Sequence, residues 1–321
     1  MENGMSDSAG AGHARRRFFR SAWFSALLAA IAVALLLVAI LGGSTSRPDA
    51  THRSATAPAS SVAPPASTSS PCGGNPLGVG GHWRCSFDDE FDGTSLNTAN
   101  WQPQLTANSG YVTGGPDCYV DNPFTINVSG GHLNLSASRV SPFECAHGYV
   151  SSYQVGMVTS SKLFSQTYGV FEVRAKIPAA TSPGLQETLW LYPQNLTYGP
   201  WPASGEIDFA EFFSDKAGYD VPYVHYTQSS SDANATAYGC TVDQDTFNTY
   251  AVDWTPRSIT ILANGQVCLI DRPIGGPTPF DQPFFISLTQ ALGIGANAPT
   301  ASTPLPATTQ IDWVRVWEAT Q

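Results

Sequence analysis

Positive charge is scarce in this sequence. The 321 residues hold 15 Lys and Arg against 25 Asp and Glu, and charged residues make up only 12% of the chain. Six of the basic residues and only three of the acids precede residue 72, so the remainder has nine basic and 22 acidic residues and carries about −13. A surface of that sign repels phosphate backbones and excludes nucleic acid as a partner. No Cys-x-x-Cys pair occurs, which argues against a zinc site. Beyond residue 72 no stretch keeps a helical period for three turns, and no internal repeat is visible. Those absences exclude helical bundles and solenoids.

Gly (29), Pro (24) and aromatics (11%) are plentiful. Much turn chemistry with few helix formers points to an all-β domain. Period-two patterns bear this out within the sequence. In Phe171 to Pro178, Phe171, Val173, Ala175 and Ile177 share one face, and Glu172, Arg174 and Lys176 share the other. Asn264-Gly265 between two β-rich runs is a hairpin signal. Many short strands in about 250 residues predict one β-sandwich.

Three segments are expected. In residues 1–42, the arginines of "ARRRFFR" precede Ala22 to Leu41, 20 residues without a charge, Gly or Pro. That run is long enough to span a bilayer, with the N-terminus held in the cytoplasm. It reads as an export signal, with some resemblance to a twin-arginine signal, or as an uncleaved signal-anchor. Its length and the lack of a clean Ala-x-Ala site favour the anchor. In residues 43–71, Ala, Ser, Thr and Pro fill 23 of 29 positions, the composition of a disordered tether. Residues 72–321 are then a folded domain outside the cytoplasm, touching the membrane only through the N-terminal run. Six cysteines suit that compartment as disulfides. Sequential pairing is expected, Cys72 with Cys85, Cys118 with Cys145 and Cys240 with Cys268, because each closes a modest loop.

The run "WPASGEIDFAEFF" (Trp201 to Phe213) places three acids in apolar surroundings. On a strand, Glu206 and Asp208 share a face, and regular alternation would bring Ala210 there next. A one-residue bulge after Asp208 would return Glu211 to that face instead. The two glutamates could then converge to the roughly 5–5.5 Å carboxyl spacing of a retaining glycosidase. Asp208 between them would hydrogen-bond a nucleophile and raise a pKa by crowding. A solvated edge strand is the alternative. It is disfavoured by Ile207, Phe209, Phe212 and Phe213, which need burial, and by Trp190, Tyr198 and Trp201, which are sugar-stacking candidates.

"GEIDFAE" resembles the bulged catalytic signature of glycoside hydrolase family 16, in the form found in laminarinases (endo-1,3-β-glucanases), agarases and carrageenases. "FDDEFDGTSLNTANW", "SGGHLNLSAS", "YGVFEVRAKIP", "LWLYP", "FNTYAVDWTPRSITILANGQ" and "QIDWVRVWE" extend the resemblance in order, from Phe87 to Trp317. The resemblance implies a concanavalin-like β-jelly-roll sandwich with a concave substrate cleft, and retaining hydrolysis of β-glycans without a required cofactor. It assigns Glu206 as nucleophile, Glu211 as general acid/base and Asp208 as their assistant. It matches Trp201, Trp190 and His225 to cleft residues, and Arg174 could reach the cleft from its polar face. It also implies a calcium held by Glu90, the Gly131 carbonyl and Asp312, a donor set suited to a hard cation. Glu187, near Trp190, departs from the family pattern and stands at the cleft or in the wall behind it. The expected protein is a monomeric, exported enzyme on polysaccharide, most simply an endo-1,3-β-glucanase. A hydrolase or transglycosylase of another β-glycan, or a non-catalytic glycan-binding protein, are the alternatives.

Overall fold

The computed structural model describes residues 71–111, 115–146, 148–276 and 278–320. The predicted export run and all but the last residue of the predicted tether lie outside these. Among the described residues no helix is long and apolar enough to cross a membrane.

Alternating sequence becomes two large antiparallel sheets, beside a small one formed by Tyr219–Asp220 and Cys240–Thr241. The larger, of nine strands, runs in the order Gln266–Asp271, Ile259–Ala263, Phe247–Trp254, Gly169–Lys176, Ala307–Ala319, His132–Ala146 and Ile126–Ser129. Its remaining two strands, Trp83–Asp89 and Tyr149–Gln154, pair with Ala307–Ala319 and His132–Ala146. The other large sheet has six strands, in the order Tyr223–His225, Glu206–Phe213, Leu185–Pro193, Phe284–Leu292, Gly156–Thr159 and Gln102–Pro103. Phe171, Val173, Ala175 and Ile177 are buried, as their alternation predicts, and share one core with Leu189, Leu191, Ile207 and Phe209 of the other sheet. The two sheets therefore bury facing sides, and the jelly-roll sandwich is as expected. The Asn264-Gly265 hairpin is also present, both residues at positive φ (50° and 73°), as a type I′ turn requires.

The three disulfides pair sequentially: Cys72–Cys85, Cys118–Cys145 and Cys240–Cys268. The last ties the two-residue strand Cys240–Thr241 to Gln266–Asp271 of the nine-stranded sheet.

One expectation is corrected. Arg174 is not at the acidic run. It lies on Gly169–Lys176 in the nine-stranded sheet, ion-paired with Asp312 and stacked 4.8 Å over the Phe247 ring. Alternation in sequence tells which face a residue takes, not which sheet the strand joins. The expected calcium donors are likewise engaged elsewhere. Asp312 pairs with Arg174 and, at 3.3 Å, with His132, while Glu90 accepts from Arg315 at 2.7 Å. With both carboxylates already balanced by guanidinium groups, the residues present do not fit a calcium ion, and no part of the chemistry below draws on one.

Candidate active site

The acidic run forms the strand Glu206–Phe213, and it is bulged. Against Leu185–Pro193, Asp208 opposes Trp190 and Ala210 opposes Leu189, so Phe209 has no partner. Phe209 and Ala210 are both fully buried in the core. Two consecutive residues thus take the inner side, which returns Glu211 to the outer face with Glu206 and Asp208. Burial of Phe209 holds the bulge in place, since its ring would otherwise have to enter water. Gly205 sets the entry to the strand. Its φ is +85°, and a Cβ there would come within 2.9 Å of the Phe280 ring.

The neighbouring strands supply the rest of the face. His225 stands opposite Glu206, and Tyr223 opposite Asp208. The His225 Nε2 is 3.1 Å from Asp208 Oδ2 and 3.9 Å from Glu206 Oε1. Its ring stacks on Tyr223 at 3.9 Å and approaches Trp201 at 5.5 Å. Trp201 is 47% exposed and lies beside Glu206, whose charged form it favours. Trp190 is positioned by a bond from Nε1 to Thr289 Oγ1 of 2.9 Å. The Gln186 amide donates to Glu211 Oε1 at 2.8 Å. The expected Trp201, Trp190 and His225 are therefore gathered around the acids.

Three further residues went unread in the sequence. Gln186 and Tyr192 flank Trp190 at even spacing on one strand, so alternation from Trp190 was a signal that could have found them. Tyr111, stacked 5.5 Å from Tyr119, feels the charges of Glu206 and Asp208 across the sheet. It stands far from the acids in sequence, on no periodic segment, and nothing local announces it. Glu187 points the other way, into the wall. It is 1% exposed, and Gln290 donates to it at 2.7 Å while accepting from Thr309 of the opposite sheet at 2.9 Å.

Burial and crowding govern the proton affinities. Desolvation pushes the Asp208 carboxyl up to about 8. Desolvation, then the Asp208 charge, raises Glu211 to about 8, opposed by the Gln186 bond and by His225 and Lys216. Glu206 is raised for the same two reasons, opposed by His225 and Trp201. Burial lowers His225, which favours the neutral ring. The cluster therefore holds protons more tightly than free carboxyls do. It can donate a proton to an oxygen and offer a carboxylate to a carbon a few ångströms away. Aromatic faces beside it suit the apolar faces of sugar rings.

That chemistry on a β-sandwich defines a glycoside hydrolase. The family model for glycosyl hydrolases family 16 matches residues 119–314, and the chain belongs to that family. It is 30% identical over 258 residues to glucan endo-1,3-beta-glucosidase A1 of Niallia circulans, covering 72% of this chain and 37% of that protein. It is 35% identical over 177 residues to a keratan-sulfate endo-1,4-beta-galactosidase of Sphingobacterium multivorum, covering 52% of this chain and 40% of that one. The chain thus spans about two fifths of the length of these two relatives. A beta-glucanase of Rhodothermus marinus is 29% identical over 259 residues, 74% of this chain and 85% of that enzyme. Among solved structures, the laminarinase from Rhodothermus marinus superposes with a TM-score of 0.65 at 27% identity, covering 75% of this chain and 99% of that one.

Proposed function

We propose that this protein is a retaining endo-1,3-β-glucanase in which Glu206 is the nucleophile and Glu211 the general acid/base. The observation that carries the reading is the bulge at Phe209, which gives Glu206, Asp208 and Glu211 one face. Glu206 attacks the anomeric carbon as the glycosidic C–O bond breaks, and the leaving oxygen takes the Glu211 proton. Water then gives a proton to Glu211 and attacks the same carbon, releasing Glu206. Asp208, held at 3.1 Å by His225, acts on its neighbours through its charge and raises the proton affinity of both Glu206 and Glu211. Trp201 provides a ring face for the glucan, and the largely buried Trp190, opposite Asp208, supports the acid face. No step needs a metal or cofactor.

The 1,3 linkage is supported by the similarity to the Niallia endo-1,3-beta-glucosidase. The higher local identity to the keratan-sulfate enzyme makes a β-galactan the second substrate to test. Retention of all three acids speaks against a purely glycan-binding role. We also propose export of residues 72–321 as a monomer, through or on the run Ala22 to Leu41. Three disulfides favour an oxidising compartment. Reducing-sugar release from laminarin, lichenan, keratan sulfate and agarose tests the substrate. Laminarin should be cleaved fastest, to oligosaccharides of mixed length. No release from laminarin would defeat the linkage assignment.

A further inference from the structure

Glu211 lies where its strand has lost a neighbour. Tyr223–His225 pairs only with Glu206, Ile207 and Asp208. The backbone N–H and C=O of Glu211 point away from Leu185–Pro193, and among the described residues no strand of the six-stranded sheet meets them on that side. A chain segment from outside the sheet does so. The Glu211 N–H donates to Asp220 Oδ1 at 3.0 Å, and the Val221 N–H donates to the Glu211 carbonyl at 2.8 Å.

Asp220 is unusual in its own right. It is 0% exposed, and its Oδ2 is buried without a hydrogen-bond partner. Burying a carboxyl oxygen without a partner costs stability, so its presence calls for an explanation. It pairs in register with Cys240, and its carboxyl oxygen and the sulfurs of Cys240 and Cys268 all lie within 4.8 Å of one another. Through that bridge the segment is fixed to Gln266–Asp271 in the opposite sheet. Asp220 is thus a post, backed by strand pairing to the disulfide-bonded Cys240 and holding the Glu211 backbone at its front. Meanwhile Gln186 holds the Glu211 carboxylate.

We propose that Asp220, backed by the Cys240–Cys268 bridge, is a positioning residue for the reaction, setting where Glu211 delivers its proton. The inference rests on the assignment of Glu211 as the acid/base. Burial favours the neutral carboxyl at Asp220. Its service to Glu211 is then as an acceptor through Oδ1, and an amide can replace it.

The test compares Asp220→Ala, Asp220→Asn and the double variant Cys240→Ala/Cys268→Ala on two substrates. One is laminarin, whose leaving alcohol needs protonation. The other is an aryl β-glucoside with a dinitrophenol leaving group, which needs little. Asp220→Ala should lower kcat on laminarin by roughly tenfold to a hundredfold, as expected of a proton donor displaced by about 1 Å, with KM within about twofold. On the aryl substrate kcat/KM, which reports only the first displacement, should stay within about threefold of wild type. Asp220→Asn should restore most of the laminarin rate, and the double cysteine variant should show the Ala signature in weaker form. Equal losses on both substrates would overturn the inference, because general loosening of the fold spares neither. Wild-type kinetics in a folded Asp220→Ala protein would overturn it as well. Should Asp220→Ala not fold, a double cysteine variant that folds and shows no selective loss on laminarin overturns it instead. Glu211→Gln is the control for the underlying assignment. If it too lacks leaving-group selectivity, the acid/base assignment has failed. If it is selective and Asp220→Ala is not, only the positioning inference has failed.

Discussion

Replacing Asp208 by Asn removes a charge from the acid cluster while keeping its shape and an acceptor for His225. Asp208 and Glu211 oppose Trp190 and Thr188, two residues apart on the adjacent strand. That places them about 7 Å apart. At an effective dielectric near 20, a full charge at that distance raises a carboxyl by about 2.4 kcal/mol, or about 1.7 pH units. Asp208 itself titrates at about 8, so it is only half ionised where Glu211 loses its proton. The working shift is then about half, close to one unit. The other groups bearing on Glu211, namely Gln186, His225, Lys216 and Glu206, are unchanged by the substitution. The basic limb of kcat/KM reports loss of the Glu211 proton. Removing a negative neighbour lowers that pKa, so the limb should move towards acid by about 0.5–1.5 units in Asp208→Asn, measured on laminarin with each profile normalised to its maximum. An unmoved limb, or one displaced towards base, would refute the electrostatic role given to Asp208.

Other expectations follow from the same geometry. Glu206→Gln should abolish turnover on every substrate, whereas Glu211→Gln should suppress laminarin cleavage but spare kcat/KM on dinitrophenyl glucosides, which reports only the first displacement, while kcat falls on both. Glu187, buried and held near 8 against an ordinary 4.5, binds its proton more tightly folded than unfolded. Its contribution is therefore intact below about pH 4.5 and lost as pH rises towards 8, a change of about 5 kcal/mol at most. Glu187→Gln should flatten that loss, so its Tm relative to wild type should rise steadily between pH 5 and 8; a constant difference would show that Glu187 is ionised throughout. Arg174→Ala should leave kcat and KM on laminarin unchanged and cost at most about 1 kcal/mol in denaturant unfolding, as for a partly exposed ion pair.

The sequence revealed the site better than its surroundings. Three acids spaced two and three apart are inconsistent with plain alternation, and the bulge at Phe209 resolves them as expected. The disulfide partners could be inferred because each pair is near in sequence. Arg174 was misplaced because its alternation is equally good on either sheet. Pairing with Asp312, 138 residues away, decides the matter, and no local pattern encodes it. Asp220 was invisible for a related reason. It sits on a two-residue strand, too short for any period, and its importance comes from contacts with Glu211 and the disulfide. Glu187 stands out in the sequence as an extra acid, but whether it faces cleft or core depends on the register with Gln290.

The central claim is that two carboxylates perform two successive displacements at one carbon. Proton NMR of the first sugar released from laminarin tests it most directly, by recording the anomeric doublets before mutarotation mixes them. Two displacements restore the configuration, so the β-anomer should appear first and the α-anomer only later. An initial α-anomer would mean direct attack by water, and Glu206 could not then be the nucleophile.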